Sequence, residues 1–399
     1  MVNWPTPPSL TVAEGEGRTL RLGTWGPNAE LIGEPGGRTR LDTPALVLDV
    51  EAFERNLGRM AATVRASGAA LRPHAKTHKS VAVARRQIAA GAVGICCTTL
   101  GEAEVLAGAG IRGLLITSPV VTDAKIRRLA ALNTDADGIS VVADDPAAVA
   151  ALDRATAGRE RPLSVLVDLD VGVHRTGAAT VDDALALARQ VDAAPGLHFA
   201  GIQAYHGSVQ HIADFAERRR RIAEALEPLR RLVQALVGLG LPATIVSGAG
   251  TGSHEIDSQG GLFTELQAGS YVFMDVEYNA IGFRGGAPPF ETALFVATSV
   301  VSARHPGFVT VDAGVKALAT DGPLPQVSRG APEGTVYAFR GDEHGQLTVP
   351  AGLPPPALGT VVELVTPHCD PTVNLYDRYH VCRGDTLVEI WQVDARGRA

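Results

Sequence analysis

The chain has 399 residues, of which 45% are hydrophobic, 20% are charged and only 5% are aromatic. This length exceeds one ordinary small domain and predicts two domains, unless a large barrel takes most of the chain. The formal net charge of −7 argues against nucleic acid or an anionic membrane surface as the main partner.

The first residues, MVNWPTPPSLTVAEGEGR, are proline-rich and acidic, so we expect no secretory signal, which would begin with a basic region before an apolar core. The chain has no run of about 18 apolar residues, and no membrane span is predicted. The four cysteines (Cys96, Cys97, Cys369 and Cys382) are too few for a disulfide scaffold in a chain of this size. These features predict a cytoplasmic protein.

From about residue 70 the sequence alternates short apolar runs with amphipathic helical patterns, the longest of which spans residues 212–239. The predicted strands are ALRPHAK, VGICCTT, GLLITSP, GISVVAD, LSVLVDLDV, FAGIQAYHG, ATIVSGAGT and ELQAGSYVFMD. An earlier apolar run, PALVLDV, and a helix lead into them. Eight such strands, each followed by a helix or loop, predict an α/β fold, a (β/α)₈ barrel. An open doubly wound sheet is the alternative.

After about residue 285 the pattern changes to short alternating strands separated by glycine and proline turns, which predicts an all-β domain. We therefore predict a barrel over residues 45–284 and a β-domain over residues 285–399. The N-terminal segment, residues 1–44, is expected to pack with the β-domain.

Catalytic groups of (β/α)₈ barrels lie at the carboxyl ends of the strands. There this sequence places RPHAKTHK (72–79), CCTTLGEAE (96–104), DLDVGVHRTG (168–177), QAYHGSVQH (203–211) and SGAGTGS (247–253). Any one of them could be an ordinary polar loop. Five at strand ends, rich in His, Lys, Arg, Tyr and Gly, predict an active site.

Two of these motifs together predict a cofactor. The glycine-rich SGAGTGS follows the seventh strand and offers backbone N–H groups and hydroxyls to a phosphate. Lys76 ends the first barrel strand, where burial and neighbouring cations lower a lysine's pKa and favour a Schiff base. A solvated lysine is the ordinary alternative. A lysine and a phosphate loop in one barrel are what pyridoxal 5′-phosphate needs.

The segment TPHCDP (366–371) places His368, Cys369 and Asp370 in a row. It could be a zinc site, a hard-metal site, a reactive thiol beside a base, or a surface turn. On an extended segment alternate side chains face opposite sides, so His368 and Asp370 can share a ligand while Cys369 points away. Because aspartate is a hard oxygen ligand, Mn²⁺ or Mg²⁺ is expected.

The motifs named so far, together with DTPALVLD (42–49), VDAGVKA (311–317) and PHCDPTVNLYD (367–377), resemble the fold-type III pyridoxal-phosphate enzymes. The resemblance covers roughly residues 40–395 and is nearest to the D-threonine aldolase branch, beside the D-serine dehydratase-like enzymes. It implies a barrel of the alanine-racemase type, a C-terminal β-domain and a homodimer.

The resemblance also implies the roles of individual residues. Lys76 would hold the cofactor, and Lys79 is the other lysine of the motif, ranked well below it. His211 would face the substrate, and His368 and Asp370 would be the two protein ligands of the divalent metal. The other implied cofactor contacts are Arg175, Tyr205, Gly248, Gly250, Thr251 and Tyr271.

The reaction that this resemblance implies is retro-aldol cleavage of a D-β-hydroxy-α-amino acid to glycine and an aldehyde, with His211 or a metal-bound water taking the hydroxyl proton. A dehydratase acting on D-serine or D-threo-3-hydroxyaspartate is the alternative. Its branch carries Cys where this chain has Asp370, which favours the aldolase. A non-catalytic pyridoxal-phosphate carrier and a cofactor-free class I aldolase are the alternatives from other classes.

Overall fold

The computed structural model describes residues 26–398. Two sheets organise them, one of eight parallel strands and one of nine mostly antiparallel strands. Within the described residues no helix is both long enough and apolar enough to cross a membrane. The prediction about a secretory signal concerns residues 1–18, which lie outside the described part.

The first strand and helix, β1 (Ala45–Asp49) and α1 (Val50–Ser67), precede the barrel. The barrel strands are β2 (Ala70–Leu71), β3 (Ile95–Cys97), β4 (Leu114–Ile116), β5 (Ser140–Ala143), β6 (Leu163–Asp168), β7 (Leu197–Ala204), β8 (Ile245–Gly248) and β9 (Glu265–Leu266). The helices around them are α2 (Val81–Ala89), α3 (Leu100–Gly108), α4 (Asp123–Asp135), α5 (Pro146–Thr156), α6 (Val181–Ala193), α7 (Phe215–Ala225) and α8 (Glu227–Gly238). Each strand coincides with a predicted one.

The parallel sheet closes on itself through a bridge between His74, beyond the end of β2, and Cys96 in β3. Inside it a small buried cluster fills the barrel: Cys96, Leu115, Val142, Leu166 and Ala200. Neighbouring residues such as Leu114 and Ile116 face the helices and join the main core, as alternation along a strand requires. The predicted (β/α)₈ barrel is therefore confirmed, and the open sheet is wrong.

The helical pattern predicted over residues 212–239 is two helices in the structure. Helix α7 ends at Ala225 and α8 begins at Glu227, with Pro228 in its first turn. Proline has no N–H to give to the carbonyl four residues earlier, and its ring clashes with that turn. The periodicity continues across the break because both helices bury one apolar face.

The second sheet contains β1 and eight later strands: β10 (Leu294–Ser302), β11 (Phe308–Val311), β12 (Gln326–Arg329), β13 (Val336–Phe339), β14 (Gly345–Thr348), β15 (Val361–Val365), β16 (Arg378–Arg383) and β17 (Thr386–Gln392). Because β11 pairs with both β14 and β10, the strands from β10 to β15 form a closed ring. The predicted all-β domain is confirmed.

Strand β1 lies between β10 and β16, so the strand that precedes the barrel contributes to the second sheet. The described part of the N-terminal segment also packs there. The buried guanidinium of Arg38 donates to both oxygens of Glu363 on β15, at 2.6 and 2.9 Å, and to Asp49. The domain limits given above stay predictions.

Three short helices surround the site: α9 (His254–Asp257), α10 (Val276–Asn279) and α11 (Cys369–Val373). Helix α9 follows the glycine-rich loop, and α10 follows the last barrel strand. Helix α11 comes from the β-domain and packs against the turn Ala75–Thr77 after β2. The site is therefore built from both parts of the molecule.

Candidate active site

A cavity of about 370 Å³ opens at the carboxyl ends of the barrel strands. Its walls come from the segments that follow β2, β3, β4, β6, β7, β8 and β9. Among the residues predicted for the site, those that line this cavity are Lys76, Arg175, Tyr205, Gly250 and Thr251. These five residues come from four separate stretches of sequence, which converge on one space.

Lys76 lies in the single helical turn that follows β2. The Nδ1 atom of His74 accepts the backbone N–H of Lys76 at 3.3 Å, which fixes the turn. The lysine side chain is 41% exposed, and its ammonium contacts the carboxylate of Asp370. Burial alone would lower the pKa of Lys76, but the Asp370 charge outweighs it and holds this pKa above its ordinary value.

Lys79, the second lysine of the motif, has a different environment. Its Nζ lies 2.5 Å from Oε1 of the buried Glu102, and only 13% of its side chain is exposed. Glu102 also accepts the N–H of Thr98 at 2.7 Å. Lys79 therefore fixes the packing of α3 against the β2 turn, which supports ranking it below Lys76.

The TPHCDP segment is not extended throughout, so the predicted alternation along it is wrong. His368 has extended backbone angles, but α11 begins at Cys369. The helix starts there because Oδ2 of the buried Asp275 accepts the N–H of Cys369 at 2.9 Å, and the Thr372 hydroxyl donates to the His368 carbonyl. A helical turn, rather than a strand, separates His368 from Asp370.

Cys369 is fully buried, and burial together with the Asp275 and Asp370 carboxylates raises the pKa of its thiol well above the ordinary value. A buried neutral thiol is neither a metal ligand nor a nucleophile. Of the four readings of the segment, the reactive thiol is therefore not supported by its environment.

Neither His368 nor Asp370 lines the cavity itself, but Asp370 contacts Lys76, which does. The Nδ1 atom of His368 lies 3.0 Å from Oδ2 of Asp321, which orients the imidazole. Burial alone would raise the pKa of Asp370, but Lys76 and His368 hold it well below its usual range, so the group is a carboxylate. The imidazole of His368 is thus near enough to the Asp370 carboxylate to affect its pKa.

His211 lies in the loop after β7, where 44% of its side chain is exposed. Its Nε2 is 3.7 Å from Oε2 of Glu277, and its ring packs edge-on against Tyr278 at 4.7 Å between centroids. Burial, reinforced by the charges of His368 and Lys76, outweighs Glu277 and lowers the pKa of His211. At neutral pH the ring is an unprotonated base.

The glycine-rich loop approaches the cavity through Gly250 and Thr251. Thr251 Oγ1 accepts the N–H of Tyr271 at 3.0 Å, which joins the loop to the segment after β9. The Tyr271 side chain itself is buried against Phe290 and does not line the cavity. Gly248 does not line it either, and a Cβ there would come within 2.4 Å of Phe263. Their contacts with a cofactor stay predictions.

A buried polar network supports the loop that carries Arg175. Asp168, at the end of β6, accepts hydrogen bonds from the Thr176 hydroxyl at 2.8 Å and from Gln203 at 3.0 Å. Gln267 in turn donates to Gln203 at 3.1 Å. Burial raises the pKa of Asp168 to about 6, because the donors only partly replace water.

The sequence analysis gave no individual role to Asp168, Gln203 or Gln267, although both glutamines line the cavity. Their position at the carboxyl ends of β6, β7 and β9 is the only signal that could have found them. Tyr205, which was predicted, lies beside Lys76, and burial raises its pKa, so its phenol stays protonated.

The residues present fit both groups that the sequence predicts. A half-exposed lysine and a close-packed glycine loop that line the same cavity suit an aldehyde and a phosphate. The Thr98 hydroxyl, which also lines the cavity, has no hydrogen-bond partner among the described residues. Within residues 26–398 no cluster of three or more metal-binding side chains occurs. His368 and Asp370 therefore suit a hard ion that takes its remaining ligands from water or substrate.

Comparisons with known families divide the chain as the two sheets do. Residues 48–277 match the family described as alanine racemase, N-terminal domain, and residues 293–382 match the putative serine dehydratase domain. The D-threonine aldolase of Arthrobacter sp is 42% identical over 360 residues, covering 90% of this chain and 93% of that protein. The 3-hydroxy-D-aspartate aldolase of Paracoccus denitrificans is 38% identical over 365 residues, with the same coverage.

Solved structures agree with these relatives. The D-threonine aldolase from Filomicrobium marinum has a TM-score of 0.86 at 41% identity, covering 90% of this chain and 96% of that one. The D-threo-3-hydroxyaspartate dehydratase from Delftia sp. HT23 has a TM-score of 0.78 at 28% identity, covering 90% and 98%. Fold and site thus define an alanine racemase-like barrel enzyme.

The chain belongs to the alanine racemase-like family, in the branch that joins this barrel to a serine dehydratase-type β-domain. It is an enzyme of the aldolase type, a lyase. The family resemblance drawn from the motifs is confirmed.

Proposed function

We propose that this chain cleaves D-β-hydroxy-α-amino acids of the D-threonine, D-allo-threonine and D-phenylserine type to glycine and an aldehyde, using pyridoxal 5′-phosphate and Mn²⁺ or Mg²⁺. The observation that carries the proposal is the contact between Lys76 of the barrel and Asp370 of the β-domain, two residues 294 positions apart. It joins the predicted cofactor lysine and the predicted metal ligand in one site. The named aldolases among the relatives support the same activity.

Each group has a defined set of residues to hold it. Lys76 would hold the cofactor at its aldehyde end, with Arg175 and Tyr205 along the cavity wall and Gly250 and Thr251 at the phosphate end. His368 and Asp370 would hold the metal. When bound, pyridoxal phosphate supplies an electron sink for the carbanion that bond cleavage leaves.

His211 is the base that the geometry supports. Its lowered pKa leaves the ring able to accept the proton of the substrate's β-hydroxyl, and Glu277 beside it stabilises the imidazolium that results. As this proton leaves, the Cα–Cβ bond breaks, the β-carbon departs as the aldehyde, and the α-carbon takes up one proton to give glycine, which balances the proton passed to His211. A metal-bound water is the alternative base.

The dehydratase remains the second candidate, because a D-threo-3-hydroxyaspartate dehydratase from Delftia sp. is 30% identical over 376 residues. It would expel the β-hydroxyl and yield a keto acid and ammonia. A carrier without turnover is the third, but the neutral His211 beside the cavity is a group that turnover would use. We also propose a homodimeric cytoplasmic enzyme with no nucleic-acid or membrane partner.

The cofactor lysine is tested by a pair of charge-conserving variants, Lys76→Arg and Lys79→Arg. Arginine keeps the ion pairs with Asp370 and Glu102 but does not form a Schiff base, because its guanidinium stays protonated. After incubation with pyridoxal phosphate and gel filtration, the wild type and Lys79→Arg should keep an absorbance band at about 420 nm. Lys76→Arg should lose it. A band that persists in Lys76→Arg would show that another lysine holds the cofactor.

A further inference from the structure

Gln210, which precedes His211, is buried beneath the glycine-rich loop with only 1% of its surface exposed. Its Oε1 accepts the N–H of Gly252 at 2.9 Å. Its Nε2 donates to Oγ of Ser253 at 3.0 Å, and that oxygen accepts the N–H of Gly250 at 3.0 Å. The oxygen and the nitrogen of the Gln210 amide thus both form hydrogen bonds with the buried side of the loop.

The glycines of the loop are required by this contact. A Cβ on Gly250 would lie 2.5 Å from Oε1 of Gln210, and a Cβ on Gly252 would lie 2.0 Å from the Gln210 carbonyl oxygen. The N–H groups of Gly252 and Gly250 therefore already donate to Gln210 and Ser253, and they are not free for a ligand. The glycines are therefore needed because the loop backbone lies close to Gln210, and also because they leave the backbone accessible to a phosphate.

We propose that Gln210 is a positioning residue that sets the conformation of residues 250–253 for binding the phosphate of the cofactor. This inference rests on the proposed function, in which the loop holds that phosphate. Gln210 is covered by the loop and is absent from the cavity lining, so it acts through the loop. Without the amide, the N–H of Gly252 would be buried without a hydrogen-bond partner. We therefore expect the loop to shift so that this N–H finds another partner.

The test uses Gln210→Leu, Ser253→Ala, the double variant and the control Gln190→Leu. Gln190 donates one hydrogen bond to the Pro146 carbonyl on the outside of the barrel, so its loss should not affect the loop. The first measurement is the dissociation constant of pyridoxal phosphate by equilibrium dialysis. The second is amide hydrogen exchange of the peptide over residues 248–258 in the cofactor-free protein.

We expect Gln210→Leu to weaken pyridoxal phosphate binding by about tenfold or more, because a buried donor and a buried acceptor lose their partners. Ser253→Ala should weaken binding less, and the double variant should cost less than the two single changes combined, since both act on one network. Exchange over residues 248–258 should accelerate in both single variants. Gln190→Leu should match the wild type in both measurements.

Unchanged affinity and unchanged exchange in a folded Gln210→Leu protein would overturn the inference and leave the proposed function intact. Because the exchange measurement needs no cofactor, the two failures are distinguishable. A wild type that binds pyridoxal phosphate but does not cleave D-threonine would instead contradict the proposed reaction while the role of Gln210 stands. Faster unfolding or lower stability without a change in affinity would count against a positioning role.

Discussion

Asp370 connects the predicted cofactor lysine with the predicted metal site. Its carboxylate contacts the ammonium of Lys76, and that contact raises the pKa of the lysine. The same oxygens are the predicted ligands of a divalent ion. A cation on Asp370 would weaken its hold on Lys76, so the charge of the lysine and the occupancy of the metal site are linked through one side chain.

His78, two residues beyond Lys76, gives a test of the electrostatics behind the site. Its ring is fully buried, and its Nδ1 accepts the N–H of Ser80 at 3.0 Å. Burial lowers the pKa of His78 to about 3, so the folded protein keeps it neutral, whereas the unfolded chain protonates it at its ordinary value of 6.5. The unfolded state therefore binds one more proton between these two pH values.

Stability that is present above pH 6.5 should consequently be lost as the pH falls toward 3. His78 alone contributes a slope of about 1.4 kcal/mol per pH unit to the free energy of unfolding. In His78→Gln, whose amide oxygen can still accept the Ser80 N–H, that part of the slope should disappear. Urea unfolding of both proteins at several pH values measures it, and parallel curves below pH 6 would contradict a buried neutral ring.

At the level of single residues, the sequence predicted the side chains that belong to recognisable motifs. Lys76, Arg175, Tyr205, Gly250 and Thr251 all line the cavity. It assigned no individual role to Asp168, Gln203 or Gln210, although the quoted motifs 168–177 and 203–211 contain them. Their role depends on which strands are neighbours, which only the folded sheet decides.

At the level of elements, the short helix α11 is the clearest departure from the sequence prediction. The sequence alone predicts an extended segment, in which alternation separates the Cys369 side chain from those of its neighbours. Asp275 instead caps α10 through Oδ1, which accepts the Tyr278 N–H at 2.9 Å, and holds Cys369 through Oδ2. A side chain 94 positions earlier thus determines where α11 begins, and no local pattern records it.

Asp275 therefore sets the position of the predicted metal ligands relative to the barrel. In Asp275→Asn one carboxylate oxygen becomes an NH₂ group, so one of the two backbone N–H groups loses its acceptor. We expect the apparent affinity for Mn²⁺ to fall by about tenfold, as is usual when a residue that orients metal ligands is changed. Calorimetric titration with Mn²⁺ measures this directly.

Asp145→Asn is the matched control for that measurement. Asp145 also caps a helix, α5, through the N–H groups of Ala147 and Ala148, but it is exposed to solvent, whereas Asp275 is buried. Asparagine is an equally good N-cap residue, so little change is expected. Equal Mn²⁺ affinity in Asp275→Asn and the wild type would show that α11 holds its position without the Asp275 contact.

At the level of the whole molecule, the periodicity of the sequence predicted both the barrel and the all-β domain. Each barrel strand is a short apolar run, and each is followed by a helical pattern or a loop, so the local signal and the final fold agree. The pairing of β1 with β10 and β16 in the second sheet was not predicted. The apolar sequence of β1 would fit either sheet equally well. Only its pairing with other strands in the folded protein decides which sheet it joins.

That pairing has a functional consequence. With β1 in the second sheet and α1 leading into the barrel, the chain crosses between the two parts before the barrel begins and again after it ends. Asn56 on α1 reinforces the junction through hydrogen bonds of 2.8 Å with the backbone N–H and carbonyl of Glu291. The β-domain is thereby held where α11 can meet Lys76.

The measurement that tests the central proposal most directly is the identity of the products formed from D-threonine. With pyridoxal phosphate and Mn²⁺ added, proton NMR should show glycine and acetaldehyde in equal amounts, and chelation with EDTA or the change Asp370→Asn should reduce their formation by about 100-fold or more. Formation of 2-oxobutanoate and ammonia instead would establish the dehydratase. Glycine formation undiminished in EDTA and in Asp370→Asn would contradict the metal site that joins the β-domain to the barrel.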